Sequence, residues 1–152
     1  VVEIFPPGIL MKTFSAKAHE VERTWWVIDA KDKILGDVAV EAARLLRGKH
    51  KAIFTPHCDT GDFVVIMNAD KVRLSGKKET EKIYTRYTGY VGNQKIETPA
   101  KVRERRPELL VERAVWGMIP HNRLGRQIFK KVKIYNGESH PHEAQNPREF
   151  AI

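Results

Sequence analysis

The sequence predicts an α/β domain whose core begins as a strand–helix–strand unit, and three stretches predict it. Thr24-Trp-Trp-Val-Ile-Asp29 is a run of aromatic and β-branched residues closed by the turn-forming Asp29-Ala-Lys-Asp-Lys33. Leu35, Val38, Ala39, Ala42, Leu45 and Leu46 then recur at the spacing of one helical face. Phe63-Val-Val-Ile-Met67 follows without alternation, the pattern of a strand covered on both sides, as in parallel sheets. Strand, helix and strand over this distance require a right-handed crossover.

Ahead of the first strand, Val1 to Leu10 is short and apolar and lacks the lysine-led or arginine-rich start of a signal or transit peptide. Met11 reads as a natural start, so residues 1–10 are expected to be a poorly ordered extension or the remnant of a processed leader. Residues 11–152 are expected to form a single domain. The helix that begins at Leu35 is stopped by Gly48 after Arg47. The link from Gly48 to Gly61 carries charge beside the helix end, with Pro56 and Gly61 further on, which predicts an exposed but structured loop. Val72-Arg-Leu-Ser75 reads as a short third strand.

Lys77, Lys78, Lys82 and Arg86 are next interleaved with Tyr84, Tyr87 and Tyr90, ending in Gly89-Tyr-Val-Gly-Asn93. Cations among aromatics suit RNA, whose phosphates take the charge and whose unpaired bases stack on rings. The same residues also fit a two-stranded hairpin with its tyrosines packed on its own surface, and the two readings are compatible. Thr98-Pro99 places a capping hydroxyl before a proline at the first helical position, opening a helix through Arg106. A second helix starts at Pro107, with Leu110 or Val111, Ala114, Val115 and Met118 on its buried face and Arg103, Arg105, Arg106 and Arg113 outside. Pro120 ends it, Asn122 caps a third short helix, and Val132 to Tyr135 completes a fourth strand. The tail from Glu138, with His140-Pro-His142 and Asn146-Pro147, is expected to lie extended.

The formal charge is +8 and the pI near 9.7, with 41% apolar residues, which describes a folded basic protein and not a disordered basic tail. Residues 1–76 carry net +1 and residues 77–152 net +7, so the second half is the electrostatic face. Within it no acid occurs between Glu112 and Glu138, while Arg113, Arg123, Arg126, Lys130, Lys131 and Lys133 alternate with Leu124, Ile128, Phe129, Val132 and Ile134. The apolar residues can anchor such a segment so that its charges face a polyanion without the cost of ordering a loose tail. The bland reading is a solvated helix and strand, but a solvated face ordinarily mixes both signs. Nucleic acid is the first candidate partner through counterion release, and an anionic membrane the second. No stretch approaches the ~18 apolar residues of a membrane span. A lone Cys58 excludes an internal disulfide and fits a reducing compartment.

Catalytic and metal chemistry find little support. Ser75-Gly-Lys-Lys78 resembles the end of a phosphate loop, yet Lys71 stands where its first glycine belongs and Lys78 where its magnesium-binding hydroxyl belongs. Gly36, Gly89, Gly92 and Gly125 form no dinucleotide fingerprint. His57-Cys58-Asp59 lacks oxyanion-hole glycines, and adjacent residues rarely point at a common centre. His140, His142 and Glu143 fall short of a closed zinc site and read better as packing or phosphate contacts. No cofactor, metal or small-molecule substrate is expected.

Several runs are also familiar. Trp116-Gly-Met-Ile-Pro120, Arg123-Leu-Gly-Arg126, Val132-Lys-Ile-Tyr-Asn-Gly137 and His140-Pro-His-Glu-Ala-Gln145 closely resemble the bacterial-type large-subunit ribosomal protein thirteen family. Trp26-Val-Ile-Asp-Ala30, Leu35-Gly36, Leu46-Arg-Gly-Lys-His-Lys51, Thr55-Pro-His57, Asp59-Thr-Gly-Asp62 and Asn68-Ala-Asp-Lys-Val72 fit the same pattern in the same order, so the resemblance covers roughly Met11 to the end. It implies a three-layer α/β domain with a central four-stranded, mainly parallel sheet, basic loops and an extended C-terminal tail. It implies a structural role in organising large-subunit rRNA early in assembly, with neighbouring large-subunit ribosomal proteins as partners, and no catalysis, membrane or homo-oligomer. A cytoplasmic bacterial ribosome is the expected location, and an organellar one is compatible.

Carried over, the RNA-facing elements of that family fall on Arg47, Lys49, His50 and Lys51; on Arg86, Tyr87, Thr88 and Gly89; and on His121, Arg123, Gly125 and Arg126. The charge pattern adds Lys77, Lys78, Lys130 and Lys131. Trp116 stands where the resemblance leads one to expect lysine or arginine, and Asp37 where a basic residue is common. The first change exchanges a phosphate contact for an indole that can stack, and the second favours the helix dipole at the expense of an RNA contact. Two rival readings need features of their own. A Rossmann-like nucleotide-binding enzyme needs a glycine loop after the first strand, where Lys31-Asp-Lys-Ile-Leu-Gly36 is a poor substitute. A basic DNA-binding module needs a recognition helix and usually dimer symmetry.

Overall fold

The computed structural model describes residues 14–152. The expectations for residues 1–10 and for Met11 lie outside the described residues. The core unit forms as the apolar runs require: β1 spans Trp25–Asp29, α1 Leu35–Arg47 and β2 Phe63–Met67. β1 and β2 pair in parallel from Trp25 opposite Phe63 to Asp29 opposite Met67. Gly48 ends α1 with φ 77°, a left-handed conformation that costs glycine little. A Cβ there would come within 2.6 Å of the Thr60 hydroxyl, so the site excludes side chains on space as well.

β5, Val132–Ile134, pairs with the outer edge of β2, and with β6 at Arg148–Glu149 the sheet runs β5-β2-β1-β6, every pairing parallel. Trp26, Ile28, Val64 and Ile66 project from one face into a core shared with Val38, Ala42 and Leu46 of α1. Val111 and Val115 of α4 (Glu108–Met118) and Ile128 of α5 (Arg123–Phe129) complete that core. The strand register places Trp25, Val27, Phe63 and Val65 on the opposite face. There Trp25 stacks on Phe63 at 4.4 Å, and from the segment leading to the tail the His142 ring lies 5.0 Å from Trp25 and shares a hydrogen bond with the Tyr135 hydroxyl. His142 is therefore a packing residue.

The expected strand at Val132 to Tyr135 forms as β5, but the expected third strand does not. Val72 to Ser75 forms no strand, because Asn68 (φ 54°) turns the chain into a 3-10 turn at Ala69–Lys71 and Arg73 makes a single parallel bridge to Ile34. Pairing stops there since the chain after Ile34 winds into α1. The tail instead supplies the edge strand: β6, Arg148–Glu149, pairs with Trp26 and Val27, the Phe150 amide donates to the Val27 carbonyl at 2.8 Å, and the Phe150 ring meets Trp26 edge-on. Pro147 has no N–H to spend, which an edge position tolerates.

The insertion between β2 and α4 contains α2 (Lys78–Glu81), the antiparallel β3 (Tyr84–Tyr87) and β4 (Gln94–Glu97), and α3 (Pro99–Arg105). Pro99 opens α3 as the sequence suggests, but the Thr98 hydroxyl makes no capping bond. Arg103, expected outside, holds Glu79 of α2 through two bonds of 3.0 and 3.1 Å and donates to the Asp70 carbonyl at 2.6 Å. It faces α2 and the turn after β2, and so ties the insertion to the domain. Met118 is 39% exposed because Ile119, one residue further on, takes the buried place.

Candidate nucleic-acid interface

The entry to α5 is built without tolerance. The Asn122 carboxamide oxygen accepts from the Gly125 amide at 2.7 Å, which satisfies one of the helix's open donors. Gly125 sits against the Pro120 carbonyl, where any Cβ would overlap the backbone. It is buried, so it shapes the turn and offers no surface. With the entry set, Ile128 enters the core and Leu124 packs against it, while Arg123, Arg126 and Lys130 stand exposed on the outer face. No ion pair among the described residues uses any of the three. Arg105 and Arg106, by contrast, are occupied by Glu97 and Glu112. His121 is exposed beside Trp116, at 4.9 Å between ring centroids.

The cluster at the end of α1 divides into two kinds of residue. Arg47 lies over the Phe54 ring at 5.8 Å, and Lys49 is exposed. Arg47, Phe54 and Pro56 share a small crevice with Pro120, Asn122 and Leu124, so this cluster adjoins the start of α5. His50 and Lys51 turn inward to Asp62, whose side chain has no exposure. The Asp62 carboxylate accepts from Lys51 at 2.5 Å, the Thr24 amide at 3.0 Å and the Trp26 indole at 3.1 Å, and lies 2.9 Å from His50 Nε2. Burial alone would raise this carboxyl, but the bonds from Lys51, Thr24 and Trp26 outweigh it and hold it below the usual carboxylate value.

Lys131 is likewise withdrawn. Its side chain, 7% exposed, pairs with Asp59 and donates to the Leu46 carbonyl, and burial lowers its affinity for a proton against the pull of Asp59. Expected on the cationic face, it instead braces β5 against the 48–62 loop. The cause is its position immediately before β5, where the chain turns from α5 into the sheet.

The β3–β4 ribbon carries Arg86, Tyr87, Thr88 and Gly89 out from the domain. Arg86 sits directly opposite Lys95, a like-charged pair that an isolated ribbon would avoid. Tyr87 and Tyr90 are 62% and 76% exposed, so the tyrosines beyond Tyr84 do not pack on the ribbon's own surface. Gly89 and Gly92 take φ 96° and 74° at its tip, and the Thr88 hydroxyl donates to the Asn93 carbonyl. Lys77 is exposed, and Lys78 donates to the Ser75 hydroxyl at 2.9 Å. Arg113 of α4 joins this region to α5: its guanidinium lies 5.0 Å from the centre of the Tyr84 ring, and it borders one groove with Arg126 and Lys130.

A family model described as "Ribosomal protein L13" matches residues 23–141. The chain belongs to the ribosomal protein L13 family. It is 69% identical to a large ribosomal subunit protein uL13 of Akkermansia muciniphila over 142 residues, covering 93% of this chain and all of that one. It is 61% identical to the uL13 of Moorella thermoacetica, with 93% and 99% covered, and 56% identical to that of Methylacidiphilum infernorum, with 90% and 96% covered. In this L13 chain the sequence sets Arg113 in the cationic stretch and Trp116 as an indole that can stack, but does not place them in one groove with Arg126 and Lys130. Their spacing, three apart on one helix and in line with Leu109 and Glu112, was the available signal. Asp37 is exposed in the first turn of α1, as a residue favouring the dipole should be.

Proposed function

We propose that this protein is a structural constituent of the large ribosomal subunit which binds and organises large-subunit rRNA early in assembly, among neighbouring large-subunit proteins, with residues 11–152 acting as one domain. The observation that carries the reading is the outer face of α5: three cations without an ion pair among the described residues, on a helix whose other face is locked into the core. Fixed charges of one sign, already ordered, bind phosphate without a large entropic cost. Arg47 and Lys49 beside α5, and Arg86 on the ribbon, extend that face in the same reading. The bacterial uL13 relatives support a ribosome of the bacterial type in the cytoplasm.

An enzyme reading has less to draw on. The crevice at the carboxyl ends of β1 and β2, where an α/β sheet usually binds its ligand, is lined by Asp29 and Glu149 and by Phe150 of the tail. Lys33 lines it too, but its ammonium donates to the Ile152 carbonyl, and two acids against one cation leave the crevice net negative, which disfavours phosphate. Among the described residues no helix is long and apolar enough to cross a membrane.

Replacing Arg123, Arg126 and Lys130 together by glutamine tests the proposal. Glutamine keeps much of each aliphatic stem and removes the charge, so the melting temperature should stay near the parent's. Binding of large-subunit rRNA should weaken, and the slope of log affinity against log salt should fall by about 2 to 3. Parent-like binding and slope in this variant would remove α5 from the interface.

A further inference from the structure

We propose that the groove between α4 and α5 holds one unstacked RNA nucleobase, with its flanking phosphates on Arg126 and Lys130; this rests on the rRNA-binding reading and names a contact within it. The groove is open to solvent along its length, with a volume of about 510 Å³, inside the range of about 300–1,000 Å³ typical of small-ligand sites. Its floor is Leu109, Trp116 and Phe129, all partly exposed, and the Trp116 and Phe129 rings brace each other at 5.1 Å and 67°. Its rim is Arg113, Arg126 and Lys130, none of them ion-paired among the described residues. Arg113 is steadied by the Tyr84 ring.

An apolar floor under a cationic rim fits an occupant with flat apolar faces and negative groups on either side, and a nucleotide of a single strand has both. A leucine or phenylalanine from another protein would fill the floor but leave three cations desolvated without a counter-charge, which is costly. The one acid in the lining, Glu112, is drawn towards Arg106 at 3.5 Å, and its second oxygen can accept from an N–H on the edge of a base. The groove is also well placed. It opens beside the outer face of α5, so a strand crossing that face would pass over it.

The full chain is tested with single-stranded oligouridylate of roughly twelve nucleotides, within the span such surfaces accept, and with a strand of equal length whose sugars carry no bases. The parent should bind the oligouridylate more tightly than the abasic strand, with quenching of indole emission. That quenching should vanish in Trp116→Leu, because Trp25 is stacked between Phe63 and His142 and Trp26 is held by Asp62. Trp116→Leu should lose on the order of tenfold in affinity for the oligouridylate. It should keep the parent's affinity for the abasic strand and the parent's salt slope, and Trp116→Phe should recover part of the loss. Equal binding of both strands by the parent, or parent-like binding of oligouridylate by Trp116→Leu, would overturn the proposal. So would subunits assembled with Trp116→Leu that bind rRNA normally but lose a neighbouring protein, since the groove would then belong to that protein. If the parent bound neither strand nor large-subunit rRNA, the rRNA-binding reading itself would fall, a result distinct from the others.

Discussion

Asp62→Asn separates the frame of the interface from its charges. The carboxylate is fully buried and meets four partners, the Lys51 ammonium and Thr24 amide at one oxygen and the Trp26 indole and His50 ring at the other. An asparagine fits the same space, but only one side of it accepts. If its oxygen serves Lys51 and Thr24, its amide faces the indole N–H, donor against donor; His50 can adapt by changing tautomer, while Trp26 cannot. Lys51 also loses its counter-charge. Breaking a dry ion pair costs about 3–5 kcal/mol, but the Lys51 and His50 side chains are 18% and 20% exposed, so water relieves part of the loss. The expected destabilisation is about 2–3 kcal/mol. It should appear in urea unfolding as a lower midpoint with unchanged slope, and as a melting temperature lower by roughly 5–10 °C. At temperatures where the variant is folded, rRNA binding should be within a few-fold of the parent's. A change below about 0.5 kcal/mol would refute the hub role of Asp62, and a loss of binding at parental stability would place this residue in the interface itself.

Four further outcomes follow from the same geometry. Because the folded Asp62 carboxyl holds its proton less tightly than the unfolded one, its contribution is complete above about pH 5 and is lost as pH falls through the lowered folded value, so the stability–pH curve of Asp62→Asn should be flatter on the acid side. Leu124→Asp puts a carboxylate against the core and should lower stability by about 2–3 kcal/mol, with rRNA binding lost only as the fold is lost, which thermal unfolding and filter binding together will show. Gly125→Ala forces the α5 entry away from the Pro120 carbonyl and should cost stability, read by urea unfolding, although no charge changes. Cys58→Ser, at a half-buried loop position, should stay within about 1 kcal/mol of the parent with unchanged rRNA binding; a folded variant that no longer binds would show the thiol to be needed.

Much of this protein is written in local pattern. The apolar runs at Trp25–Asp29 and Phe63–Met67, the helical stripe from Leu35, Gly48 at its end, and Asn122 before α5 are each decided within a few residues, because strand period, helix period and caps are short-range effects. The two faces of α5 follow from spacing as well, since residues three and four apart share a side. Tertiary structure decided the rest. Lys131 and Lys130 are adjacent and identical in chemistry, yet one is buried on Asp59 and the other exposed, and the choice is made by a residue 72 positions away. Val72 to Ser75 has strand-like residues without a strand, and Arg148–Glu149 is a strand without a strand-like run, because pairing depends on which sheet edge remains open once the other strands are placed. The same reason withdraws Lys51 from the surface and sets Trp116 beside Arg126: a side chain's periodicity says which face it shares, but only the packed chain says what lies opposite.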